Sequence, residues 1–127
     1  MSGLVGQVDS RSKLVGLNKT VKAFAVFDQK TSTTHTIGGS FNVSTIGDEA
    51  QGKSLVNFLS PMRNANYTVT TNHAEDNGSY GNYGDGSRVS AHRDPARTTS
   101  AFYVACTVDN SGGFADMETV DVIVCGD

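Results

Sequence analysis

Ser40–Phe58 reads SFNVSTIGDEAQGKSLVNF, and this stretch decides the fold class. Its first run alternates: Phe41, Val43 and Thr45 face one way, and Asn42, Ser44 and Ile46 the other. Leu55 and Val56 lead a second run into Phe58, and Gly47–Lys53 is the polar turn between the two. Period-two runs around a Gly-containing turn predict a β-hairpin, because successive side chains of a strand point to opposite faces.

The same grammar extends outward. VKAFAVF (residues 21–27) is a strand with Val21, Ala23, Ala25 and Phe27 on one face, and Lys22, Phe24 and Val26 on the other. Both faces are largely apolar, so this strand is expected to be covered on both sides, by a second sheet and by another subunit. Thr36-Ile37 opens a short strand that Gly38-Gly39 interrupts, and a glycine pair in a β pattern marks a bulge or a close backbone approach. Ser60-Pro61 ends the second run of the hairpin, since proline cannot donate to a ladder. NYTVTTN (66–72) is a strand with Tyr67, Val69 and Thr71 on one face, and Val89–Ala91 a short one. SAFYVACTV (100–108) aligns Phe102, Val104, Cys106 and Val108, and TVDVIVC (119–125) aligns Val120, Val122 and Val124. About seven strands at short spacing without an amphipathic helix predict an all-β, jelly-roll-like sandwich over residues 21–127. Residues 1–20, polar and glycine-punctuated with the apolar pairs Leu4-Val5 and Leu14-Val15, are expected to form an N-terminal arm, and Met1 is read as a natural start.

Composition narrows the function classes. The chain has 127 residues, 14 Gly, no Trp and 37% hydrophobic residues, below the globular norm and suited to a turn-rich β protein whose core is completed by partner subunits. A net charge of −3 argues against a nucleic-acid partner. Lys and Arg concentrate in the first quarter (Arg11, Lys13, Lys19, Lys22, Lys30), and acids at the end (Asp109, Asp116, Glu118, Asp121, Asp127), so the two ends either face solvent or meet. No secretory leader or membrane-spanning stretch is legible. Cys106 and Cys125 are too few and too far apart for a zinc site, and are expected on paired strands as buried thiols, a disulfide staying open if their α-carbons lie within about 7 Å.

Lys22–Phe27, Ser40–Ile46, Leu55–Phe58, Pro61-Met62, Ala65-Asn66-Tyr67 and the closing valine-rich strand to Cys125-Gly126 follow one another in an order that resembles the short β domain of bacteriophage tail fibre and other virion structural proteins. That pattern runs K-A-[FW]-[AV]-x-F, [AG]-S-[FY]-N-[VI]-S-[ST]-[IV], [TL]-[VI]-N-F and x-M-x-x-A-N-Y, and the match covers most of the chain. The resemblance implies a homotrimeric β-sandwich in the virion, made in the bacterial host cytoplasm, that often recognises the host surface; contact with other virion proteins is expected through the N-terminal arm. It transfers no catalytic, metal or cofactor residues, and neither a cofactor nor membrane insertion is expected.

The chemistry that the residues themselves suggest lies in EDNGSYGNYGDGS (75–87), a long connection with four Gly, two Tyr and three acids. Tyr80 and Tyr83 offer ring faces to a sugar, and Asp76, Asn77, Asn82 and Asp85 offer hydrogen bonds to its hydroxyls, so these six residues are the candidate receptor or glycan site. The His92–Arg97 connection is an accessory candidate. Glu75, Asp76 and Asp85 do not follow a calcium-loop spacing. His35, His73 and His92 are scattered, and no nucleophile motif such as G-x-S-x-G occurs, so no enzyme is expected. Two functions remain: a trimeric fibre or tail-tip module that attaches to the host, or a capsid-decoration or tail-assembly protein without a receptor.

Overall fold

The computed structural model describes residues 20–31, 33–74, 88–92, 97–108 and 113–126. Nine strands account for the ordered elements among them, two more than the spacing predicts: β1 (Val21–Asp28), β2 (Thr36–Phe41), β3 (Val43–Ala50), β4 (Lys53–Phe58), β5 (Thr68–Ala74), β6 (Arg88–His92), β7 (Ala101–Val108), β8 (Gly113–Phe114) and β9 (Thr119–Cys125). They form two antiparallel sheets, ordered β2-β1-β9-β5 and β3-β4-β7-β6, with β8 added to β7. The chain is an all-β sandwich, and no described helix is long and apolar enough to cross a membrane.

Alternation makes the sandwich. Ala23, Ala25 and Phe27 of β1 and Val120, Val122 and Val124 of β9 face Val56 and Phe58 of β4 and Phe102, Val104 and Cys106 of β7, all of them buried. Each fully buried Val or Phe contributes roughly 1.5–3 kcal/mol of transfer free energy, so this double row outweighs any single polar contact. Phe58, Tyr67 and Phe102 close one end with ring centroids 5.5–6.2 Å apart. The Tyr67 hydroxyl lies 2.9 Å from the Thr98 carbonyl and 3.1 Å from that of Ala101, so the buried phenol has an acceptor.

The opening stretch corrects its own reading. Ser40–Ile46 is not one strand. Asn42, at φ 54°, turns the chain out of one sheet and into the other. Asparagine tolerates the left-handed region, and here its side chain fixes the corner. Nδ2 donates to the carbonyls of Lys22 and Ser60, and Oδ1 accepts the Ser60 N–H at 2.7 Å. Beyond it the strict alternation fails as well. The register slips between Val43 and Thr45, so that Val43 packs on the core and Ile46 is fully buried. The polar turn is also shorter than expected: β3 runs on to Ala50, and only Gln51-Gly52 connects it to β4.

Other expectations divide. Val26 pairs with Gly39 and Phe27 with Ile37, which leaves Gly38 as the extra residue of the anticipated bulge. Val21 does not share the face of Ala23, because the β1–β9 register shifts between them and leaves Val21 48% exposed. The strands of Cys106 and Cys125 do not pair: β7 and β9 lie in opposite sheets, and both thiols are free. Among the described residues the basic start and the acidic end meet where Lys30 Nζ lies 3.0 Å from Glu118 Oε1.

Candidate functional site

The six residues of the predicted receptor site, Asp76, Asn77, Tyr80, Asn82, Tyr83 and Asp85, lie outside the described residues, as does Glu75. What is described is their frame. β5 ends at Ala74 on the edge of its sheet opposite β2, and β6 begins at Arg88 on the edge of the other sheet opposite β3. Of the accessory connection, Arg97 is described: its guanidinium donates to the Tyr67 carbonyl and sits 5.8 Å from the centre of that ring. His35 and His73 are not gathered. His35 precedes β2 at one edge of its sheet, and His73 lies on β5 at the other edge. His35 is buried, with Nδ1 3.0 Å from the Thr31 carbonyl, which assigns the proton to Nδ1; Nε2 is buried without a partner. Among the described residues no three His, Cys, Asp or Glu side chains gather to hold a metal ion.

Two other places concentrate chemistry. The first is a buried polar knot at the β3–β4 turn. Gln29 Nε2 donates to Ser54 Oγ at 2.8 Å, and Gln29 Oε1 accepts the Met117 N–H at 3.1 Å. Beside it the Gly52 N–H donates to Asp116 Oδ1 at 2.6 Å, and the Gly52 carbonyl accepts the Cys106 N–H at 2.7 Å. Gln, Ser, Cys and Asp in one cluster suggest a nucleophile, but the geometry is that of a fastener. Gln29, Ser54 and Cys106 are buried, and burial pushes the Cys106 thiol up to about 12, with the Gln29 hydrogen bond opposing and the Asp116 carboxylate adding to the rise. A thiol so raised stays protonated at neutral pH and does not attack.

The second is the outer face of the β2-β1-β9-β5 sheet. Cross-strand register sets Phe41 beside Phe24, Phe24 beside Ile123, and Ile123 beside Thr70. Phe41, Phe24, Val26, Ile123 and Val21 are each 39–54% exposed, and the Phe24 and Phe41 rings stack at 6.3 Å. A hollow of about 330 Å³ opens among Val21, Phe24, Val26, Asp121 and Ile123. A second, of about 180 Å³, continues past Val26 to Asp28, Thr36, Glu118 and Thr119. The two hollows share Val26 in their lining, and Lys30 pairs with Glu118 beside the second. Contiguous exposed apolar side chains on a sheet form a patch whose hydration is unfavourable.

The two apolar faces of residues 21–27 announce half of this surface. The rest was not legible, because Phe41 and Ile123 reach Phe24 only through sheet register. No family model, curated protein or solved structure matches the chain.

Proposed function

We propose that this chain is a structural module of a bacteriophage particle, a jelly-roll-like sandwich that assembles as a homotrimer through the outer face of its β1–β9 sheet. The observation that carries the assembly reading is the row Phe41–Phe24–Ile123, aromatic and aliphatic side chains aligned by strand register and held in the open. A core-like row on a free surface gains its transfer free energy only when another surface covers it. The placement in a virion is supported by the ordered resemblance of Lys22–Phe27, Ser40–Ile46 and Leu55–Phe58 to phage tail fibre and virion domains.

In this reading the 75–87 connection, with Tyr80 and Tyr83, presents a weak glycan site once per subunit, and threefold multiplicity supplies the avidity. The capsid-decoration or tail-assembly alternative uses the same apolar face but no receptor. Light scattering on the purified chain tests assembly: three times the 13.4 kDa subunit mass is expected, and a monomer at all concentrations overturns it. Deleting residues 77–84 separates the alternatives. Loss of host-cell binding with the trimer retained supports attachment, and unchanged host-cell binding removes the loop from function.

A further inference from the structure

We propose that Leu59 of one copy seats in the hollow among Val21, Phe24 and Ile123 of the next, with Arg63 of the same turn on Asp121. This rests on the trimer reading and names the surface that covers the apolar face. Symmetry requires such a surface. A face that packs on its own copy makes a twofold pair, whereas a threefold ring joins two different surfaces of the chain. Elimination finds the second one. Among the described residues seven large apolar side chains are exposed: Val21, Phe24, Val26, Phe41 and Ile123 of the outer face, then Phe114 and Leu59. Phe114 lies under Lys53 Nζ, 4.2 Å from its ring centre. Leu59 is left, 72% exposed, so it occupies no hollow of its own chain.

The turn that carries Leu59 is held in place. The Leu59 and Ser60 N–H groups donate to the Asn42 carbonyl and to Asn42 Oδ1, and the Met62 N–H donates to the Thr99 carbonyl, with the Met62 side chain buried. A segment held this way loses little conformational freedom on association. The hollow fits the side chain: a cavity of roughly 150 Å³ takes a benzene ring, and this one, of about 330 Å³, has room for a leucine. Position agrees as well. Leu59 follows β4 in the opposite sheet, and Asn42 Nδ2 ties its turn to the Lys22 carbonyl at the start of β1. The knob therefore sits at the end of the sandwich, next to the apolar face but off it. Two surfaces that meet at one corner make the subunit a wedge, the shape that closes a ring.

Charge selects the same pairing. The charged residue in the lining of the hollow is Asp121. Arg63, four residues past Leu59, is exposed, and among the described residues neither it nor Asp121 has an ion-pair partner. Leucine in an apolar hollow, with arginine on the carboxylate at its rim, gives the contact an apolar centre and a polar border, as protein interfaces have.

Full-length variants test it. Leu59→Cys and Ile123→Cys chains, each with Cys125→Ser to remove the neighbouring thiol, are mixed as dilute protein, concentrated together and mildly oxidised. A disulfide is expected in the mixture and in neither protein alone. A trimer without that link, or a link within either protein alone, overturns the seating and keeps the trimer. An unsubstituted chain that stays monomeric at all concentrations overturns both. One chain carrying both cysteines is expected to give a covalent trimer, and a ladder running past three keeps the seating but overturns threefold closure. Charge reversal reads the second contact. Arg63→Asp and Asp121→Arg are each expected to raise the concentration needed for assembly roughly tenfold, and together to restore it. Single changes without effect, or a double variant as weak as the singles, overturn the pairing. Leu59→Ser is expected to weaken assembly roughly hundredfold while the subunit melts unchanged. Full assembly of that variant overturns the proposal.

Discussion

The knot around Gly52 and the outer face around Phe24 are opposite solutions built on the same sandwich. At the knot, polar groups are buried and satisfied by one another: Gln29 with Ser54 and Met117, Gly52 with Asp116 and Cys106. On the face, apolar groups are exposed, and no described side chain covers them. The first arrangement holds the chain together, since each buried polar side-chain atom there has a hydrogen-bond partner. The second leaves free energy to be gained on association. Mutations in the two regions are therefore expected to separate stability from assembly.

The largest effect is expected at Gly52. Its φ is +66°, and a Cβ there would sit 2.6 Å from both Ala115 N and the Cys106 carbonyl oxygen. Gly52→Ala is expected to lower unfolding free energy by about 3 kcal/mol, from backbone strain plus forced separation of packed backbone. Urea denaturation measures it, and a change near zero would show that the turn is loose.

Alkaline pH comes next. Burial pushes the Tyr67 phenol from 10.0 up to about 12, with Arg97 pulling it partly down, and the Cys106 thiol from 9.0 up to about 12. Both groups bind their protons more tightly when folded. Their contribution is thus complete below the unfolded values and is lost as pH rises from about 9 through about 12. Thermal melts across this range should show a falling Tm, and Tyr67→Phe, which removes one titrating group, should flatten the fall.

Gln29→Leu follows, at about 2 kcal/mol, because it strands the Met117 N–H and the Ser54 hydroxyl in the interior. A loss below about 0.5 kcal/mol in denaturant titration would mean that water replaces the amide, and that the knot is less closed than its burial indicates.

The smallest stability effect is expected on the face. Phe24→Thr should change subunit unfolding by less than about 0.5 kcal/mol, since the side chain is 39% exposed and threonine suits a strand. The same variant should abolish assembly in light scattering. If it unfolds the subunit instead, the contrast between knot and face fails.

Much of the fold is legible in residues 21–27, 100–108 and 119–125, because period-two alternation directly encodes which side chains face the second sheet. It is less legible wherever a single residue breaks that period. Asn42 moves the chain between sheets, and the Val43/Thr45 slip brings Ile46 inward. A one-residue bulge or a left-handed corner inverts every face beyond it, and nothing in the local pattern of Ser40–Ile46 distinguishes it from an unbroken strand. The candidate surface was half legible for the same reason. Phe24 and Val26 declare an apolar outer face, but Phe41 and Ile123 join it from 17 and 99 residues away through ladder register. The knot was not anticipated at all, because Gln29, Ser54 and Asp116 are ordinary polar residues until the sandwich closes over them.

What Ser40–Phe58 and its neighbours determine by themselves is the class: alternating β strands, turn residues between them, and enough valine and phenylalanine on one face of each strand to demand a second sheet. Tertiary structure alone decides which strands become neighbours, and hence where the surplus lies. Strand β1 carries two apolar faces, and the fold has one interior. Packing assigns that interior to Ala23, Ala25 and Phe27, and so leaves Phe24 and Val26 outside. A local pattern can state that both faces are apolar, but only the arrangement of all the strands determines which is covered.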